Sequence, residues 1–336
     1  MNQRNPNIDL LRVIAAFAEV WLHVSVWVVL GDPSVESPWW WAGNLVDSFT
    51  RWSVPVFVMI SGALLLSAPP NSSPLDFWRK RMARLLPALV FWTLVYFAFR
   101  YFLEPPFGWK DAIKSLLKGN AYYHTWYIYM LVGLTFITPY LQQLVRQLSQ
   151  RALLYLILGC LLIAAGEFAY GGRIITFLPS FVPFIGYFLA GYYIVNFVGV
   201  VKKRILIPVI LLCGLAIALA TAALLPLRDV QAYNLTYSYH NLLVVGMSLG
   251  VFILAIKAPP LTSALARFAQ VRIAPLTLGV YALHPLWMWG LGKLGINGFW
   301  VHPAVGIPVT ATLAFILSLL SAALLARIRW LKHTVR

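Results

Sequence analysis

Apolar residues run along this chain in long blocks, not in the short alternations or half-apolar stripes of a water-soluble fold. Ten blocks stand out, at residues 8–30, 42–66, 85–103, 122–141, 152–169, 181–200, 205–226, 238–257, 273–292 and 304–326. Each is close to the roughly 20 residues a helix needs to cross a hydrocarbon core about 30 Å thick. Backbone polar groups inside a bilayer have to be paired within their own segment, so helices are predicted throughout. The connecting stretches carry turn formers, as in Pro69-Pro70-Asn71-Ser72-Ser73-Pro74. Lys110, Lys114 and Lys118 repeat a base every four residues and predict a short amphipathic helix on the outer surface. Trp39-Trp40-Trp41 and Tyr122-Tyr123 lie near block ends and predict an interfacial aromatic belt. The pattern predicts one all-α integral membrane domain over residues 1–336, with about ten transmembrane helices and no appended soluble domain. The first block has no small-residue cleavage site and is expected to stay in place as a helix.

Composition agrees with this pattern. The chain is 61% hydrophobic and 11% charged, with mean hydropathy +0.78, against about 25% charged in soluble domains. Lys and Arg number 26 against 10 Asp and Glu, a formal charge of +16. Seventeen of the basic residues fall in one set of loops and ends, including Arg4, Arg79, Lys80, Arg81, Arg84, Lys202, Lys203, Arg204 and Arg336. Seven, including Arg100 and Arg173, fall in the other set. The richer side is cytoplasmic by the positive-inside rule, and an even number of spans then puts both termini there. This distribution accounts for the charge without nucleic acid as a partner. Cys160 and Cys213 lie in apolar blocks without metal-ligand spacing and are expected to pack as small hydrophobes.

The chemistry starts in the first block. Arg12 and His23 are eleven residues apart, within about 20° of three full turns, so they leave one face of the helix about 16 Å apart. Glu19 is one turn from His23, and Asp9 one turn from Arg12. A charge at membrane depth costs at least about 2.5 kcal/mol, so this stripe is expected to face a polar interior. His23 suits proton transfer near neutral pH, with Glu19 holding its charged form. A purely structural knob between helices is the other reading of His23.

A second cluster, Arg79-Lys80-Arg81-Met82-Ala83-Arg84, enters a helix from the cytoplasmic side. It reads either as a topology anchor or as a phosphate clamp, with Arg81 and Arg84 one turn apart. In the stretch from Arg51 to Gly62, Pro55 is expected to kink the second helix, and Asp47 pairs with Arg51 four residues on. His124-Thr125-Trp126 is expected to open the fourth helix, Tyr281 and His284 to lie inside the ninth, and His240 inside the eighth. No Gly-rich phosphate loop, Gly-x-Ser-x-Gly elbow or His-Glu-x-x-His metal motif is present, and no metal is expected.

These segments, in order, resemble the acyltransferase 3 family of membrane acyltransferases. The resemblance rests on Arg12 and His23 within the first helix and on the Ser53-Val54-Pro55-Val56-Phe57-Val58-Met59-Ile60-Ser61-Gly62 stretch. It continues through Arg81-x-x-Arg84-Leu85-x-Pro87, His124-x-Trp126, and Leu278-Gly279-Val280-Tyr281-x-x-His284-Pro285. It implies a multi-pass protein of the bacterial cytoplasmic (inner) membrane that moves an acyl group, commonly acetyl, from cytoplasmic acyl-coenzyme A. The acceptor would be a hydroxyl of a cell-surface or lipid-linked glycan. Arg12, Arg81 and Arg84, with Asp9, would serve the donor, and His23 would carry the chemistry as base or acyl carrier. Arg51, Ser61, His124, Trp126, Tyr281 and His284 would line the acceptor site or a pore. Acetyl-coenzyme A is then a co-substrate, and no permanently bound cofactor is expected. Glu19 stands outside the family's pattern. A transporter or flippase of a glycan precursor, without covalent chemistry, is the alternative that a polar stripe on one helix also suits.

Overall fold

The computed structural model describes residues 5–69, 73–169, 178–228 and 231–336. Arg4, Arg173 and residues 70–72 of the proline-rich loop lie outside the described residues. Among the described residues the regular structure is helical: α1 Pro6–Gly31, α2 Pro38–Thr50, α3 Ser53–Leu66, α4 Pro74–Leu103, α5 Trp109–Lys118, α6 Trp126–Gln147, α7 Gln150–Ala169, α8 Ile185–Phe197, α9 Lys203–Arg228, α10 Gln231–Thr236, α11 Leu242–Ile256, α12 Ala264–Phe268, α13 Thr277–Lys293, α14 Pro303–Leu325 and α15 Lys332–Val335. Among the described residues eight helices are long and apolar enough to cross a membrane, counting α2 with α3 and extending α8 back to Ser180. Two of the expected spans are shorter: α11 has 15 residues and α13 has 17. The protein is an all-α integral membrane protein. Its outer surface carries Leu94, Phe102, Tyr155, Ile163, Leu212 and Leu320, all exposed, which suits contact with acyl chains rather than water.

Three boundaries differ from the sequence expectation, each for a local reason. The second span does not kink at Pro55. It breaks at Arg51 and Trp52, and Pro55 sits in the first turn of α3, where its missing N–H costs no helical bond. His124 precedes α6 in a turn closed by Thr125, whose hydroxyl donates to the Tyr122 carbonyl. His240 lies before α11, because Asn241 caps that helix by accepting from the Leu243 N–H at 2.9 Å. Nor is the Trp39–Trp41 cluster simply interfacial. Trp40 is fully buried, and its indole N–H donates to the Tyr233 hydroxyl at 3.0 Å.

Helix α1 sits at the centre, packed against α2, α3, α11, α13 and α14. Its start is fixed by Asn5, which caps the helix by accepting from the Asn7 N–H at 2.9 Å. The Asn5 and Asn7 amides donate to the carbonyls of Ile256, the last residue of α11, and Ala258 just beyond it. Helices α3 and α8 cross at closest range through two glycines. A Cβ on Gly62 would lie 1.8 Å from the Phe188 carbonyl oxygen, and one on Gly191 1.9 Å from that of Met59. Small residues at such crossings replace the hydrophobic driving force that lipid removes.

Gly62→Ala or Gly191→Ala is therefore expected to destabilise the protein by about 1–3 kcal/mol or more, since the obstacle is backbone. Gly159→Ala in α7, with nothing within 4 Å of the added Cβ, should be neutral or slightly stabilising. Thermal unfolding of the three variants in one detergent checks the contrast.

Candidate active site

Arg12 stands near the start of α1, 3.5 Å from Asp9. Both line a cavity of about 640 Å³, together with Ser61 and Phe57 of α3, Arg81 and Arg84 of α4, and Tyr127 of α6. Gln270, then Thr277 and Tyr281 of α13, and Arg336 complete its polar lining. Ser73 starts α4 early by capping at Asp76, so the basic cluster lies within regular helix, and Arg81 and Arg84 lie one turn apart on it. Arg336 arrives because α15 tucks inward. The Trp92 indole donates to the Thr334 carbonyl at 2.8 Å, and Val335 is fully buried beside Gly279. Four arginines on one cavity make it strongly cationic, and guanidinium groups can hold an anion by charge-assisted hydrogen bonds. An adjoining apolar cavity of about 240 Å³ shares Ser61, Arg81 and Arg84 and adds Leu64, Leu134 and Phe188.

Three imidazoles meet farther along α1. The His23 ring stacks on that of His284, with centroids 5.1 Å apart and planes at 25°. His124 meets His284 edge-on at 5.4 Å. Tyr281 packs on His124 at 5.1 Å and donates its hydroxyl to the His124 backbone carbonyl. Tyr123 covers His23 on another side at 5.0 Å. His124 and His284 are buried. Both His124 ring nitrogens and Nε2 of His284 make no hydrogen bond to another described protein group, so they are open to a water or a ligand. Nε2 of His23 lies 3.1 Å from Oε1 of Glu19, off the axis of a linear hydrogen bond. The other Glu19 oxygen accepts from the Ser53 hydroxyl at 2.5 Å. Among the described residues, no group of three or more His, Cys, Asp or Glu is arranged to hold a metal ion.

Beyond His23 lie two further cavities. One, of about 350 Å³, is lined by Val24, Trp27, Glu104, Tyr122, Tyr123 and Lys293. The other, of about 600 Å³, is lined by Arg51, Lys118, Trp126, Phe184, Tyr239 and His240. Arg51 is bound to Asp47 and lies 4.4 Å over the Tyr237 ring.

The residues singled out from sequence therefore separate into three levels. Asp9, Arg12, Arg81 and Arg84 share one cavity, and Ser61 and Tyr281 line that same cavity. Glu19, His23, His124 and His284 form the buried middle level. Arg51 and Trp126 line the cavity at the opposite end. Sequence reasoning missed Ser53, Tyr123, Gln270 and Arg336. Ser53 was quoted only as part of a stretch, and no spacing rule pairs it with Glu19, 34 residues away.

His240 gives the far cavity a measurable pH signature. Burial pushes its pKa down from 6.5 to about 4. The folded state then binds fewer protons than the unfolded chain between those values, so stability falls as pH drops from about 6.5 toward 4. His240→Gln, neutral throughout, should show a smaller drop in thermal midpoint over that window than the parent protein. Equal drops would contradict it.

A family model described as an acyltransferase domain matches residues 5–327. That span contains every residue of the three levels except Arg336. No curated protein and no solved structure matches the chain. The match covers nearly the whole chain and agrees with the ordered segments from Arg12 to Pro285: the chain belongs to the acyltransferase 3 family.

Proposed function

We propose that this membrane acyltransferase takes an acetyl or similar acyl group from cytoplasmic acyl-coenzyme A and places it on a hydroxyl of a cell-surface or lipid-linked glycan. The observation that carries the reading is the alignment of levels along α1. An arginine-lined cavity at one end, a buried histidine in the middle and an aromatic cavity at the other end follow one helix. Acyl-coenzyme A is polyanionic and cannot enter lipid, so its nucleotide end belongs among Arg12, Arg81 and Arg84. Its long pantetheine arm spans the roughly 16 Å from Arg12 to His23. The acceptor enters from the far side, where Trp126 and Tyr239 offer faces for sugar stacking. The cytoplasmic side is that of the basic loops, and the membrane is the bacterial inner membrane.

Glu19 next to Nε2 leaves Nδ1 of His23 to take the proton of the acceptor hydroxyl. The hydroxyl oxygen attacks the thioester carbonyl, the C–S bond breaks, and the departing sulfur recovers the proton from His23. The new bond is an oxygen ester, and the products are the acylated acceptor and coenzyme A. The Glu19 carboxylate stabilises the imidazolium that forms in between.

The test is transfer of label from [14C]acetyl-coenzyme A by the purified protein in nanodiscs. The acceptor is an envelope lipid and glycan extract of a host strain lacking the protein. His23→Ala should abolish transfer while retaining coenzyme A binding; near-normal transfer by that variant overturns the reading. Arg12→Ala, Arg81→Ala and Arg84→Ala should each raise the KM for the donor about tenfold, the rate equivalent of one charge-assisted hydrogen bond. Lys at these positions should restore only part, because it keeps the charge and loses the fork. A topology anchor predicts full rescue by Lys and unchanged donor affinity in all variants.

A further inference from the structure

We propose that Ser53 is a positioning residue of the acyl transfer, acting on His23 through Glu19. The inference rests on the reading of His23 as the base. Its origin is the local chain geometry at the break between α2 and α3. Hydroxyls on the spanning helices ordinarily satisfy themselves by donating to the carbonyl four residues back. Ser61 does so to Phe57 at 3.0 Å, Thr138 to Leu134 at 2.7 Å, Thr221 to Ile217 at 2.8 Å and Ser248 to Val244 at 2.7 Å. Ser53 does not. The carbonyl four residues before it, that of Phe49, accepts instead from the Trp52 indole N–H at 2.8 Å. The break at Arg51 and Trp52 thus releases the Ser53 hydroxyl, which crosses to α1 and donates to Oε2 of Glu19 at 2.5 Å.

The consequence falls on the carboxylate. Glu19 is buried and has two oxygens to satisfy. One faces His23 at 3.1 Å, and the other is held by Ser53. The Ser53 bond holds one carboxylate oxygen, and this sets where the other stands against the His23 ring. Ser53 is itself fully buried as the first residue of α3. The positive end of that helix dipole therefore lies at the residue that grips the negative carboxylate. The result is an ordered line, Ser53 to Glu19 to His23, in which only the last member touches substrate.

The nanodisc label-transfer assay with the host extract tests this. Ser53→Ala should lower kcat about tenfold, the loss expected for one charge-assisted hydrogen bond, with the KM for acetyl-coenzyme A unchanged. Ser53→Thr, which keeps the hydroxyl, should restore most of kcat. In a Glu19→Gln background, Ser53→Ala should cost nothing further. Unchanged kcat in Ser53→Ala overturns the inference. So does an equal loss with and without Glu19, or a loss that Thr fails to restore while coenzyme A binding stays intact. Activity in His23→Ala would instead overturn the underlying reading, so the two failures are separate.

Discussion

A carboxylate and an imidazole buried together at mid-membrane depth are the constraint on which the rest of this structure depends. Neither Glu19 nor His23 can be solvated by lipid, so each needs partners from neighbouring helices. The partners come from two helices and a turn: Ser53 on α3, His284 on α13 and Tyr123 before α6. Helix α1 must therefore be central, which is where it sits. The break in the second span places Ser53 at the start of α3, where its hydroxyl donates across to Glu19. The close Gly62–Gly191 crossing then holds α3 against α8.

Electrostatics and shape divide along α1. The arginine-lined cavity gathers Arg12 of α1, Arg81 and Arg84 of α4, and Arg336, with Asp9 also lining it. The far cavity is mainly aromatic, and its arginine is already paired with Asp47. One end is rich in cationic side chains and the other in aromatic rings. Phe57, Tyr127 and Tyr281 stand between the arginines and the histidine layer, with Tyr127 packed on Phe57 at 6.1 Å and on Tyr281 at 5.4 Å. Tyr281 belongs to both levels, because it lines the donor cavity and its hydroxyl binds the backbone of His124. A donor arm that reaches His23 passes these rings.

Much of this was legible in the sequence, for reasons of period. Spacings inside one helix translate directly into geometry, so the Arg12–His23 stripe, the Glu19 and Asp9 neighbours and the Arg81–Arg84 pair could be read from residue numbers alone. Contacts between helices could not. Nothing in the sequence places Ser53 against Glu19, stacks His284 on His23, or brings Arg336 beside Arg84, because those depend on how helices cross. That Ser61 and Tyr281 line the same cavity as Arg12, Arg81 and Arg84 follows from packing for the same reason, since their depth along α3 and α13 depends on it. The break at residues 51–52 escaped because Pro55 drew the expected kink to itself, although proline is at ease in a first helical turn.

The central claim is that the arginine cavity and His23 serve one extended donor molecule. A cryo-electron microscopy structure of the protein in nanodiscs with a non-hydrolysable thioether analogue of acetyl-coenzyme A tests it most directly. The account predicts the nucleotide phosphates among Arg12, Arg81 and Arg84, and the arm running past Tyr127 and Tyr281 to end beside His23. Nucleotide density on any other surface, or an arm directed away from His23, would contradict it.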